Sequence, residues 1–171
     1  MPTNVRWIAQ RNAFSCGPIA ILNILKWAGF PISYKKDYNF WKRKCKCNIH
    51  GTHQPFFQKC IENLKHIVST PKNLPTISSI EDAIYNNQLV VMKSTFMVDS
   101  RNDLGHFFII SEMTEDSFFC VNDVDGKHNW YDKEIFAQYY LQYHRSYCDT
   151  CCTSSLCGVS PYAWFLKKNS L

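Results

Sequence analysis

The stretch Gln10-Arg11-Asn12-Ala13-Phe14-Ser15-Cys16-Gly17-Pro18 puts one cysteine at the head of an apolar run, six residues after a glutamine. Ile19, Leu22, Ile24 and Leu25 then recur at helical spacing, which predicts a helix from 16 to 28. Ser15 is suited to cap it, Pro18 is tolerated in its first turn, and Gly29 stops it. A cysteine at that position faces the positive end of the helix dipole. That end and a neighbouring imidazolium are the two devices that lower a thiol's pKa and make it a nucleophile.

Working outward, residues 4 to 9 read as extended. Residues 52 to 66 form a second helical candidate, with Phe56, Cys60, Ile61 and Leu64 on one face. Ser78-Ser79-Ile80-Glu81 reads as a capping box that opens a short helix through Asn86. The pattern then changes. Residues 89 to 94, 106 to 113 and 117 to 122 are β-branched or aromatic, of strand length, and separated by turns. Trp130-Tyr131 adds a strand edge, Asp132 caps a further helix to about Tyr143, and residues 162 to 166 form a last strand. Helices followed by antiparallel strands predict an α+β domain of two layers, with the Cys16 helix packed on the sheet.

The strand candidates carry the other chemical groups. Gly105-His106 opens one of them, and Asn122-Asp123 closes the next. Asp123 lies 17 residues beyond His106, the spacing for a neighbouring antiparallel strand across a turn near Glu115-Asp116. There its carboxylate would hold the imidazole in the required tautomer. Gln10 carries an amide N–H which, with the backbone N–H of Cys16, makes an oxyanion hole. Glutamine, cysteine, histidine and aspartate in that order are the parts of a cysteine-nucleophile hydrolase. Taken singly, each has a plain reading: a packed thiol, a satisfied polar residue, turn chemistry. Their joint order and placement carry the argument.

These motifs resemble the C39-type cysteine peptidases, the papain-like domains of bacteriocin-processing transporters and free-standing C39-like proteins. Gly51-Thr52 before a helix resembles the family's Gly-Thr element. Ile80-Glu81-Asp82-Ala83-Ile84 through Leu89-Val90-Val91 resembles its helix and strand leading to the histidine. The similarity covers about residues 5 to 125. It implies a papain-like fold with an N-terminal helical layer on an antiparallel sheet. It also implies Cys16 as nucleophile, His106 as general base and acid, Asp123 as orienting residue and Gln10 as oxyanion donor, with no cofactor required. Two positions depart from the family pattern. Ser15 stands where the family often has Asp, and Val124 where Pro is common, which leaves Asp125 as an alternative orienting residue.

The transporter members cut after a Gly-Gly pair, so the resemblance implies a narrow cleft for a protein or peptide substrate. Ubiquitin-like tails ending in Gly-Gly fit the same restriction, through peptide or isopeptide bonds. Two alternatives keep the scaffold: transglutaminase-like or deamidase acyl transfer on glutamine, and a catalytically idle Cys-rich binding module.

The remaining cysteines cluster outside this pattern. Cys45, Cys47, His50 and His53, with Cys60 near, fall in an insertion of about residues 42 to 60. Cys148, Cys151, Cys152 and Cys157 fall in a segment of about 145 to 160. Thiolates and imidazoles at such spacing suit a structural zinc ion, and free thiols or disulfides are the alternatives. At 171 residues, 46 % hydrophobic and 15 % aromatic, the chain reads as one packed domain over residues 1–171. A net charge of +5, with a basic cluster at residues 42 to 46, is too weak for a dedicated nucleic-acid binder. No apolar signal segment and no membrane span are visible in the sequence. Nine cysteines, an odd number, leave at least one thiol free, so the expectation is a soluble protein of the cytoplasm or another reducing intracellular compartment.

Overall fold

A computed structural model describes residues 5–12, 14–49, 51–94, 106–122, 126–141 and 161–169. The elements run α1 (Cys16–Trp27), α2 (Tyr34–Lys44), α3 (Gln54–Glu62), β1 (Ile67–Asn73), α4 (Ile77–Tyr85), β2 (Leu89–Ser94), β3 (His106–Met113), β4 (Ser117–Val121), β5 (His128–Asp132), α5 (Lys133–Phe136) and β6 (Tyr162–Lys168). A π-helical turn, Ala137–Leu141, continues α5. The six strands form one antiparallel sheet in the order β1-β6-β2-β3-β4-β5. The fold is α+β, a helical layer on an antiparallel sheet.

The sheet is covered on both faces, which makes three layers where the sequence predicts two. Consecutive burial along β2 and β3 demands this, because neighbouring side chains of a strand point to opposite faces. On one face Phe107, Ile109, Val121, Trp164 and Leu166 pack with Ile21 and Ile24 of α1 and Phe57 and Ile61 of α3. On the other, Phe108, Ile110, Phe118 and Phe165 pack with Ile80 of α4, Phe136 of α5 and Tyr140. Phe57 stacks on Phe107 at 4.1 Å between centroids and meets Trp164 edge-on at 5.1 Å, joining α3 to the sheet.

Helix α1 is buried along most of its length, including Gly17, Pro18 and Asn23. Its stop follows the predicted chemistry. Gly29 takes φ +93°, and the Phe30 N–H returns to the Leu25 carbonyl. Its start does not: the Ser15 side chain makes no cap and bonds the Asn12 carbonyl at 3.3 Å. Helix α3 is shorter than predicted because His53 leads into it with Pro55 in the first turn, and Asn63 ends it. The capping box of α4 uses Thr76 and Ser79, not Ser78 and Glu81. The Thr76 Oγ1 accepts from the Ser79 N–H, and the Ser79 Oγ accepts from the Thr76 N–H. Asp132 caps α5 as predicted, accepting from the N–H groups of Glu134 and Ile135.

Candidate active site

Cys16 is the first residue of α1, and His106 is the first residue of β3. The sulfur of Cys16 is within reach of the backbone N–H of Phe107, the residue after His106, and of the Gly17 and Cys16 N–H groups. The fold therefore brings Cys16 against the Phe107 backbone, 91 positions along the chain and next to His106. Packing of α1 on β3 does this, and Gly17 permits it. A Cβ on Gly17 would lie 2.6 Å from Thr52 Oγ1, so only glycine allows the segment before α3 to close against the first turn of α1.

Both groups are buried, Cys16 to 4 % exposure and His106 to 8 %. Burial pushes the Cys16 thiol up to about 11, against the pull of the Phe107, Gly17 and Cys16 backbone N–H groups, and the nearby Cys47 adds to the rise. The sequence predicts a thiol lowered by its helix terminus. The structure reverses that balance, because desolvation outweighs the oriented N–H groups.

The His106 imidazole is held by the end of β4. Its Nε2 lies 2.7 Å from the Asn122 carbonyl oxygen, which can only accept, so the proton sits on Nε2 and the basic lone pair on Nδ1. The ring also stacks on Phe108, with 6.3 Å between centroids and 13° between planes.

Asn122 is the residue that sequence reasoning missed. It follows β4, is 1 % exposed, and adopts φ +62°, a left-handed conformation that asparagine tolerates. Its carbonyl accepts from His106, its Oδ1 accepts the Gln10 backbone N–H at 2.7 Å, and its Nδ2 donates to Gln10 Oε1 at 3.2 Å. Its own N–H donates to His128 Nδ1 at 3.1 Å. One side chain and one peptide unit thus tie the strand carrying His106 to the segment carrying Gln10. The signal in the sequence was Asn-Asp at a strand end, which reads first as turn chemistry.

The Gln10 segment is pinned at two further points. Asn23 of α1 accepts the Ile8 N–H at 2.8 Å and donates to the Ile8 carbonyl at 3.0 Å. Gly126, at φ +70°, lies so close that a Cβ there would be 2.6 Å from the Gln10 carbonyl oxygen. Gln10 Nε2 donates one of its two hydrogens to the Asn12 carbonyl. Asp123 and Asp125 lie outside the described residues.

His128 makes this arrangement pH-sensitive. Burial lowers its pKa below the ordinary 6.5, partly offset by the Lys127 backbone, and its Nδ1 must stay unprotonated to accept from Asn122. The unfolded chain takes up the proton below about pH 6.5 while the folded one resists it, so stability is lost as pH falls through that range. A Tm measured from pH 7.5 down to 5.0 should fall, and His128→Gln should flatten the fall. An unchanged slope would remove His128 from this role.

Some candidate metal ligands make other contacts, and the rest lie outside the described residues. Cys45 and Cys60 meet sulfur to sulfur at 3.4 Å, Cys47 Sγ reaches the Phe14 carbonyl at 3.1 Å, and His53 packs edge-on against Phe56. His50, Cys148, Cys151, Cys152 and Cys157 lie outside the described residues. Among the described residues, no three His, Cys, Asp or Glu side chains converge to hold a metal ion. A cavity of about 900 Å³, lined by Trp27, Ser111, Glu112, Trp130 and Lys168 among others, lies at the far ends of α1 and β3 from Cys16 and His106. It belongs to no part of this site. No described helix is long and apolar enough to cross a membrane.

No family model and no curated protein matches the chain in sequence. Solved structures match it in fold. The peptidase domain of Streptococcus ComA, a bi-functional ABC transporter involved in quorum sensing, aligns with a TM-score of 0.64 at 16 % identity, over 98 % of this chain and all of that one. A structure described as a C39-like peptidase from Bacillus anthracis aligns at 0.64 with 13 % identity, over 98 % and 97 %. A double-glycine-motif protease from a PCAT transporter, solved with its leader peptide, aligns at 0.61 with 10 % identity, over 98 % and 94 %. The chain has the papain-like fold of C39 peptidase domains, as its motifs predict.

Proposed function

We propose that this chain is a cysteine peptidase of C39-like type. The observation that supports it most is the Cys16 sulfur beside the Phe107 N–H, with the adjacent His106 fixed in the Nε2–H tautomer by Asn122. In this reading His106 Nδ1 removes the Cys16 proton as sulfur attacks the scissile carbonyl. The tetrahedral oxyanion is met by the Cys16 backbone N–H and by the second hydrogen of the Gln10 amide. The imidazolium then protonates the leaving amine, and water hydrolyses the thioester by the same path in reverse. The orienting carboxylate we propose is Asp123, which would have to share the Nε2 proton with the Asn122 carbonyl or take its place.

The substrate we infer is a peptide with Gly-Gly before the cut. Support comes from the fold shared with a double-glycine protease captured with its leader peptide. A peptide ending in Gly-Gly with an electrophilic C-terminal aldehyde or propargylamide tests both points. The expected result is a single adduct on Cys16, outcompeted by the Gly-Gly substrate peptide and not by its Ala-Ala analogue. No adduct on Cys16 with either sequence would refute the nucleophile; equal labelling by both would refute the glycine restriction alone.

A further inference from the structure

Cys45 and Cys60 take no part in acyl transfer, yet their sulfurs are 3.4 Å apart in the core, at 0 % and 5 % exposure. Cys45 caps the C-terminal end of α2, and Cys60 lies in the last turn of α3. The chain between them forms the wall beside the catalytic helix. Thr52 packs against Gly17 there, and Cys47 reaches the Phe14 carbonyl. An S–S bond of about 2.05 Å requires the sulfurs to approach by only about 1.4 Å, within the range of side-chain torsions.

We propose that Cys45 and Cys60 form a reversible, peroxide-driven disulfide that staples α2 to α3 beside the active site. This does not rest on the peptidase reading. The pair is asymmetric. The Lys44 cation stands near Cys60 and favours its thiolate, so Cys60 is the attacking thiol of the two. Hydrogen peroxide is small enough to reach a thiol that is 5 % exposed. The Cys60 thiolate attacks one peroxide oxygen, the O–O bond breaks, and hydroxide leaves and is protonated to water. The Cys60 sulfenic acid is then attacked by the Cys45 sulfur, which gives up its proton as the S–O bond breaks, and a second water leaves. Two thiols are oxidised by two electrons and one peroxide is reduced to two waters. A dithiol reductant reverses the bond by thiol–disulfide exchange.

The loop closed is 15 residues. A loop of that length limits the unfolded chain enough to raise Tm by roughly 6–12 °C in a domain of this size. The test uses the full chain, reduced, treated with chelator, exposed to one equivalent of hydrogen peroxide, alkylated and digested for mass mapping. The expected product joins the peptides of Cys45 and Cys60, two hydrogen masses lighter than the separate thiol peptides. It should be reversed by dithiothreitol and accompanied by the rise in Tm. In Cys45→Ser, dimedone should trap a sulfenic acid on Cys60. The proposal is overturned if both cysteines carry the alkyl label after oxidation. It is equally overturned if either is joined to Cys47 or to a cysteine between 148 and 157, or if dimedone labels no Cys60 in Cys45→Ser.

Discussion

His106→Ala should leave Cys16 as an inert, buried thiol. With its pKa held at about 11, only ~1 molecule in 10⁴ carries the thiolate at pH 7. Iodoacetamide should then alkylate Cys16 roughly 10²-fold more slowly than an ordinary thiol of pKa ~8.5. The rate should climb about tenfold per pH unit toward the thiol's own pKa, whereas in the wild-type protein His106, as the proposed base, should speed alkylation at neutral pH. Cleavage of a Gly-Gly peptide should fall by about 10²–10⁴ in kcat, the range of a lost general base. The geometry makes this prediction sharp. The helix terminus and three backbone N–H groups already act on the sulfur and do not overcome its burial. A variant alkylated at pH 7 as fast as wild type would show that something other than His106 activates the thiol.

Asn122→Ala should both loosen the fold and slow the chemistry. It leaves the Gln10 N–H without its acceptor and removes the donor to Gln10 Oε1. It also places alanine at φ +62°. An unsatisfied buried donor costs about 1–3 kcal/mol, and the left-handed backbone adds about 1 kcal/mol for alanine. Together these should lower Tm by on the order of 10 °C. Asn122→Gly separates the two causes. It relieves the backbone and keeps the carbonyl that fixes His106, so it should recover about 1 kcal/mol of stability but little of the loss tied to Gln10. Because Gln10 is the proposed oxyanion donor, the kinetic effect should appear mainly in kcat rather than KM. A Tm within 2 °C of wild type for Asn122→Ala, together with unchanged kcat, would reduce Asn122 to an incidental turn residue.

Much of this architecture is legible because each element carries a local signal. The α1 stop is written in Gly29, the start of α5 in Asp132, and β2 and β3 in continuous apolar runs. Two elements carry no such signal. Helix α2 buries none of its residues, so no apolar stripe marks it. Strand β1 is mostly exposed and holds Pro71, which reads as a break. It is tolerated because β1 is an edge strand that pairs with β6 alone. At the candidate site, the placement of Cys16 at the head of α1 and of His106 at the head of β3 is legible from spacing, but the contacts that hold His106 are not. Asn122 acts through contacts to residues 112 positions away in sequence, which no local pattern encodes. Ser15 illustrates the converse. A good cap by residue type, it bonds the Asn12 carbonyl instead. The Cys45–Cys60 contact is hidden in the same way, because it joins residues 15 positions apart on different helices.

The strand order has a bearing on timing. Strand β6, encoded last of the six, inserts between β1 and β2 and brings Trp164 and Leu166 to the floor on which α1 rests. On a ribosome, thiol and imidazole emerge long before that floor exists. The growing chain therefore holds α1 and β3 without that floor until translation reaches Tyr162–Lys168, and the packing around α1 is completed only by the last strand made.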